Sequence, residues 1–440
     1  MRVLMVSAAI LPFWRCGVAT VVDEIAMRLQ KQGHTVGMFA LDILGMGDCQ
    51  VNQEGKQCWL TPTALTDKCA YIPENSRESM HVVERFRECL EQFRPDVVHF
   101  HTPRYFCLCL IELAKKAQAR VVMTLHDWWW ICPAQFYAPE LGKRCKAPVE
   151  ENCLKCMKKT EETQEDYSER EAAIAQAEKL IDCFTCVSSI LFEDLVRFKP
   201  HLKEKTVVIP NPVSAGVEHV PSIQGPMTFA FLGGQTDIKG YLKVIEAFGA
   251  LPTEKEWQLN IYGCAVSAEP IREQVNRHML SKIRRYALHP RALLRKMRMI
   301  IKGMRVAKGK EEAIHHLPAF PKEQRADILA KTHAVLVCSQ VQESFSLVAY
   351  EAMRNGCCVI STPCGGPTAI VQTGKNGILL PDFSAGELKK AAEYMIDHRD
   401  KVEGFRRNAL ELSRSFREAA EVAEMYAGVY LSGEHREEAL

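Results

Sequence analysis

Two carboxylates, Glu343 and Glu351, stand around the turn in Val341-Gln-Glu-Ser-Phe-Ser-Leu-Val-Ala-Tyr-Glu-Ala-Met353. The apolar run Ala334-Val-Leu-Val-Cys338 precedes the turn and an amphipathic run from Leu347 to Met353 follows it, so the stretch reads as strand, tight loop, helix. The amides of Ser344, Phe345, Ser346 and Leu347 then open a helix, where free N–H groups and the macrodipole favour an anion such as phosphate. A second apolar run, Cys357-Cys-Val-Ile-Ser361, leads to Gly365-Gly366-Pro367, another loop with amides to offer. Eight residues of helix rise roughly 12 Å, whereas the paired carboxyls of glycosidases lie about 5 to 9.5 Å apart. Glu343 and Glu351 are therefore not an acid/base dyad. They suit hydroxyls at two places on one long ligand, as in a sugar and a ribose flanking a diphosphate. Ordinary surface carboxylates on a helix are the plain alternative.

Four further sets of residues have chemistry to offer. Lys239 follows the strand-like run Thr228-Phe-Ala-Phe-Leu-Gly233 and the Gly233-Gly234 turn, just before Gly240 and a helix through Val244, Ile245 and Phe248. There its ammonium can meet the same diphosphate, or remain a solvated charge. His101 and His126 end the runs Asp96-Val-Val-His-Phe-His101 and Val121-Val-Met-Thr-Leu-His-Asp127. That is the carboxyl edge of a parallel sheet, where open α/β sheets bind ligands. A satisfied core hydrogen bond is the other reading for both, and the preferred one for His99. Trp128, Trp129 and Trp130 follow, either as a stacking floor for an acceptor or as a buried plug. Cys132, Cys145, Cys153 and Cys156 lie in irregular chain containing Pro133, Pro139, Gly142 and Pro148, and the last two form a CxxC pair. Such a set is either a structural zinc site, closed to catalysis because four thiolates leave no open position, or a group of free thiols.

These residues need a scaffold, and the apolar pattern supplies one. Arg2-Val-Leu-Met-Val-Ser7 is continuous, as central parallel strands are. A helix follows through Val18, Val21, Val22, Ile25 and Leu29, closed by Gly33, and Thr35-Val-Gly-Met-Phe39 is the next strand. This is a βαβ unit with Gly17 at its first turn. The apolar start accordingly reads as a buried strand, not a signal peptide. Thr206-Val-Val-Ile-Pro-Asn-Pro212 leads into a linker ending near Gly225-Pro226, and the strand–helix pattern restarts at Thr228. The fold class is α/β, twice over. A first domain covers 1–212 with a Cys-rich loop at 132–156, a second covers 213–415 with a basic insert at 268–310, and a last helix covers 416–440.

Composition agrees with that reading. The 440 residues, 47% hydrophobic and 25% charged, suit two soluble domains, and no apolar run approaches a bilayer span. Many of the 18 cysteines sit singly in apolar runs, such as Cys183, Cys186 and Cys338, where they serve as small hydrophobes in a reducing cytoplasm. The formal charge is only +2, but Ile271 to Lys310 holds thirteen Lys or Arg and one acid, Glu273. Met279, Ile283, Leu293, Leu294, Met297 and Ile301 are interleaved there. Basic amphipathic helices of this kind lie on anionic membrane surfaces, which places the chain on the inner face of the plasma membrane. A solvated insertion is the plain alternative, and nucleic acid is not the expected partner.

Glu343-Ser-Phe-Ser-Leu-Val-Ala-Tyr-Glu351 and Gly365-Gly366 resemble the signature of the retaining GT-B glycosyltransferases of family four: a Glu, seven residues, a Glu, then a glycine pair. The resemblance covers nearly the whole chain. It implies two Rossmann-like domains with parallel sheets facing across a cleft, and a last helix crossing back to the first. It implies transfer of a sugar from a nucleotide-diphosphate donor to a hydroxyl acceptor, lipid-linked in some members, for cell-surface polysaccharide or glycolipid. The acceptor hydroxyl attacks from the leaving-group face, and no cofactor is needed. By the same resemblance His126, Glu343 and Lys239 form the catalytic set. Glu351 holds the ribose. Gly17, Gly233, Gly234, Gly365, Gly366 and the amides of Ser344 to Leu347 surround the donor phosphates, and His101, Asp127 and Trp128 lie on the acceptor side. Gly234 departs from the pattern, standing where the family has an Arg that grips phosphate bidentately. Two other outcomes fit the same fold: a nucleotide-sugar epimerase, and a non-catalytic binding protein.

Overall fold

The structure, a computed structural model, describes residues 1–11, 16–42, 48–62, 77–101, 103–158, 163–252, 254–263, 310, 312–320 and 322–431. It divides into two compact units, one of Met1–Pro139, Cys145–Pro212 and Arg417–Leu440, the other of Glu140–Arg144 and Val213–Phe416. The basic stretch 271–310 lies outside the described residues except for Lys310. Among the described residues no helix is long and apolar enough to cross a membrane.

In the first unit β1 (Arg2–Val6) leads through α1 (Gly17–Lys31) to β2 (Thr35–Asp42) and a hairpin of β3 (Cys49–Gln53) and β4 (Lys56–Pro62). Then come α2 (Arg77–Phe93), β5 (Val97–Phe100), α3 (Cys109–Lys116), β6 (Arg120–Leu125), α4 (Glu150–Met157), α5 (Gln164–Leu180), β7 (Cys183–Cys186), α6 (Ser189–Phe198) and β8 (Thr206–Val208). The sheet order is β3-β4-β2-β1-β5-β6-β7-β8, parallel throughout except between β3 and β4. Strands β5 and β7 are buried along their whole length, as central parallel strands are, and Val3 to Val6 of β1 are fully buried. Helix α1 turns Val21, Val22, Ile25 and Leu29 into the core at helical spacing. The chain runs outward from β1 through β2 and returns to β5 on the other side, so the direction of winding switches between β1 and β5.

In the second unit β9 (Met227–Leu232), α7 (Tyr241–Gly249), β10 (Trp257–Tyr262), β11 (Ile314–Leu317), α8 (Arg325–Leu329), β12 (Ala334–Val337), α9 (Leu347–Arg354), β13 (Cys358–Ser361) and β14 (Gly377–Leu379) are followed by α10 (Ala385–Asp397) and α11 (Arg399–Ser413). The order β11-β10-β9-β12-β13-β14 is parallel throughout. Its winding switches between β9 and β12. Crevices at such switch points, above the carboxyl ends of the strands, are where open α/β sheets hold ligands. The last helix, α12 (Ala419–Leu431), belongs to the first unit and packs on α1. Its Tyr430 hydroxyl lies 2.7 Å from His99 Nδ1, and Arg120 Nε donates to the Val429 carbonyl at 3.0 Å.

Candidate functional site

In the second unit the two loops above the β9/β12 switch point carry Lys239 and Glu343. They are tied together by the Gln340 amide, which donates to the Ile238 carbonyl at 2.7 Å. Gly240 begins α7 in the left-handed region at φ 77°, and a Cβ there would come 2.0 Å from the Cys338 carbonyl oxygen, so no other residue lets the loops approach this closely. The approach brings Lys239 Nζ to 2.7 Å from Glu343 Oε1. Ser339 Oγ donates to the same oxygen, and the Ser346 hydroxyl bonds the carboxylate too. Burial pushes the Glu343 carboxyl up, but the Lys239 charge and these hydrogen bonds outweigh it and hold it below its ordinary value. Glu343 is thus a fixed anion beside a cation that is itself half exposed.

The main chain around Glu343 is pinned as firmly. Its amide donates to the Cys364 carbonyl at 2.7 Å, and the Gly366 amide donates to the Glu343 carbonyl at 2.6 Å. Gly366 must lack a side chain, because a Cβ would stand 2.5 Å from the Phe345 carbonyl oxygen. Gly365 precedes it at φ 87°. The Glu343 loop and the Gly365-Gly366 loop, both expected at the phosphates, are therefore knit to each other. Phe345 is buried and stacks on Tyr350, with centroids 4.0 Å apart, which roots the start of α9. Ser346 caps that helix at φ 72° and ψ 71°, a left-handed conformation for a residue that is not glycine, and Leu347 is its first turn. Glu351, one helical face further on, is buried and bonded by Arg325 of α8. Gly233 and Gly234 lie in the loop after β9. Neither has a positive φ.

In the first unit the loops after β5 and β6 carry the histidines. His126 is partly buried, and burial pushes its imidazole down to about 3, so it is neutral. His101 lies against it, Nδ1 to Nε2 at 3.1 Å and rings stacked at 5.4 Å. Its own ring is only 1% exposed. His99 is a satisfied core residue, bonded to Tyr430 and to Thr124 Oγ1 at 2.6 Å. Asp127 caps the short 3-10 turn of the three tryptophans, its Oδ1 accepting from the Trp129 amide at 2.8 Å. Burial raises its carboxyl against the pull of that bond. Gly17 opens α1 in the exposed surface after Cys16.

Two acceptor-side expectations need correction. Trp128 cannot stack on an acceptor, because it is buried, lies parallel to Tyr137 and donates its indole N–H to Asp194 at 2.8 Å. Trp129 and Trp130 are buried as well, and Trp130 bonds Glu178 at 2.9 Å, so the trio is a plug. His101 is too deeply buried to touch an acceptor from the sheet edge. Cys132 and Cys153 are buried, and burial above all pushes each thiol up to about 12, with neighbouring thiols adding to it. Cys145 and Cys156 lie in the same neighbourhood. Among the described residues, however, no group of three or more His, Cys, Asp or Glu is arranged to hold a metal ion. The sequence reading also missed three residues. Ser339 and Arg325 bond the two carboxylates, and Gln342, beside Glu343, is buried with neither amide atom partnered among the described residues. Only Ser339, four residues before Glu343, had a local signal.

Comparison with known proteins agrees with this fold. Residues 16–216 match the family model Glycosyltransferase Family 4, and residues 219–412 match Glycosyl transferases group 1. A D-inositol 3-phosphate glycosyltransferase of Gordonia bronchialis is 32% identical over 101 residues, which span 23% of this chain and 22% of that protein. A sucrose-phosphate synthase from Thermosynechococcus elongatus shares the fold over 98% of both chains, with a TM-score of 0.65 at 16% identity. Anabaena HepE in complex with UDP does so over 98% of this chain and 99% of its own, with a TM-score of 0.63 at 16% identity. With two parallel-sheet α/β domains, each matched by its own model, the chain belongs to the GT-B glycosyltransferases of family four.

Proposed function

We propose that this protein is a retaining glycosyltransferase that moves a sugar from a nucleotide-diphosphate donor to a hydroxyl acceptor. The observation that carries the reading is the constellation above the β9/β12 switch point: Lys239, Glu343 and the opening of α9, with Glu351 farther along the helix. The helix-start amides and the Lys239 ammonium suit a leaving diphosphate, which needs charge stabilisation more than acid or base. On donor binding Lys239 would turn from Glu343 toward the phosphates, freeing the carboxylate to accept from sugar hydroxyls. His126, neutral, would orient the sugar. Glu351 would accept from the ribose. Uridine diphosphate is the first nucleotide to test, because HepE of similar fold was solved with it. We further propose a lipid-linked acceptor and a place at an anionic membrane, on the strength of the basic stretch 271–310.

The test is calorimetric binding of UDP, GDP and ADP and their sugar conjugates to the wild type and to Glu351→Gln, followed by the anomeric configuration of the product. Binding of one nucleotide, weakened about tenfold or more in the variant, is expected from the loss of a charged hydrogen-bond acceptor. The product should keep the donor's anomeric configuration. Absence of binding by all three would favour the non-catalytic reading, to which Gly234 in place of an Arg gives its one support. Conversion of donor without acceptor would favour an epimerase.

A further inference from the structure

His101 and His126 share one hydrogen bond, and the surroundings decide which ring gives the proton. A 3.1 Å contact between Nδ1 of one imidazole and Nε2 of the other needs a single proton between them. Neither ring can carry a second proton cheaply, since both lie where burial disfavours the cation and His101 also faces His99, 3.9 Å away between centroids. Among the described residues the other nitrogen of His101, Nε2, is buried without a partner. Were the shared proton on His126 Nε2, His101 would have to carry its own proton on Nε2, leaving a buried N–H with nothing to accept it. Orphaned donors of that kind are among the rarest groups in protein interiors, whereas a bare acceptor is tolerated more often.

We propose that His101 is a positioning residue for the transferase site: it donates Nδ1–H to His126 Nε2 and thereby fixes His126 as the tautomer protonated on Nδ1. The inference rests on the reading that His126 serves the donor sugar. A neutral imidazole with a fixed tautomer offers one defined donor instead of a mixture of donor and acceptor, and the difference matters because a substrate hydroxyl meets either a partner or a clash. His101 itself is held from behind. His99, fastened through both nitrogens to Tyr430 and Thr124, lies against it with the two rings tilted at 39°. The row His99, His101, His126 thus transmits the order of the core to the sheet edge without any of the inner two touching substrate.

The experiment has a spectroscopic arm and a kinetic arm. In the wild type, two-bond 15N–1H correlation of labelled histidine is expected to show His126 protonated on Nδ1. Protonation on Nε2 overturns the proposal, whatever the activity. His101→Asn places its amide nitrogen where imidazole Nδ1 stood and can still donate; His101→Phe cannot. His101→Asn is expected to keep the His126 tautomer and most of the turnover, while His101→Phe loses the single tautomer and roughly tenfold in kcat with little change in KM for donor. Equal turnover in wild type and His101→Phe overturns the proposal, and should the Phe variant not fold, equal loss of kcat in Asn and Phe-free controls such as His101→Leu does so in its place. Full turnover by His126→Ala would instead remove the role of His126 on which the proposal rests, and leave the measured tautomer standing.

Discussion

Ser346 meets two demands that pull against each other. Its backbone sits at φ 72°, where an L side chain costs of order 1 kcal/mol or more, yet its hydroxyl is one of the groups that hold Glu343 ionised. Glycine would relieve the first and forfeit the second. Ser346→Gly is therefore expected to melt at or above the wild-type temperature, with donor binding weaker by only about threefold, since Lys239 and Ser339 still engage the carboxylate. Ser346→Val is expected to fail on both counts, losing about 2 kcal/mol of stability because a β-branched residue cannot settle at that φ. Thermal melting and calorimetry with uridine diphosphate make the comparison. A valine variant that binds donor like the wild type would show that the left-handed residue does not set the start of α9. None of this strain was legible in the sequence. The Glu343–Glu351 spacing was, because strand, loop and helix are local patterns, but Lys239 meets Glu343 across 104 residues and Arg325 meets Glu351 across 26.

At the scale of elements, the readable parts were those whose burial is uniform. Strands β1, β5, β9, β12 and β13 show as continuous apolar runs, as central parallel strands do, and the sequence placed each within a residue or two. The hairpin of β3 and β4 went unseen. Cys49–Gln53 is mostly polar and half exposed, and its turn is built on positive φ at Glu54 and Gly55 rather than on an Asn-Gly pair. The cysteine-bearing loop is harder still, since spacing says nothing of how its segments converge. Cys132 follows the tryptophan turn, while Cys153 and Cys156 lie one turn apart on α4. As they stand these thiols do not form a ligand set, and a structural zinc on Cys132, Cys145, Cys153 and Cys156 is kept as a proposal on their shared neighbourhood alone. Protein purified without chelator is expected to carry one zinc per chain, lost in Cys153→Ser together with several degrees of melting temperature. Metal-free protein with unchanged melting temperature and turnover removes the idea.

For the molecule as a whole, the near-neutral total conceals a division of charge. Thirteen of the 56 basic residues and one of the 54 acids fall within 271–310, so that stretch carries about +12 and the remainder about −10. Self-repulsion of such a block is unfavourable in a purely structural insertion, and an anionic surface relieves it. Each Lys or Arg near an anionic leaflet contributes roughly 1 kcal/mol, and the interleaved Met, Ile and Leu add apolar contact. The negative remainder would be repelled by the same surface, so attachment should depend on this one stretch and be sharply weakened by salt. The expected result is co-flotation with vesicles rich in phosphatidylserine or phosphatidylglycerol at low ionic strength. Phosphatidylcholine vesicles should not bind, and binding to the anionic ones should fall away as added salt shortens the screening length to a few Å. A chain in which the lysines and arginines of 271–309 are replaced by glutamine should stay in solution while keeping its nucleotide affinity, because Lys239 and Glu343 lie on separate loops of the second unit. Wild-type protein that remains soluble beside anionic vesicles at low salt would end the membrane reading, and tight binding of an unrelated duplex under the same conditions would point the stretch toward nucleic acid instead.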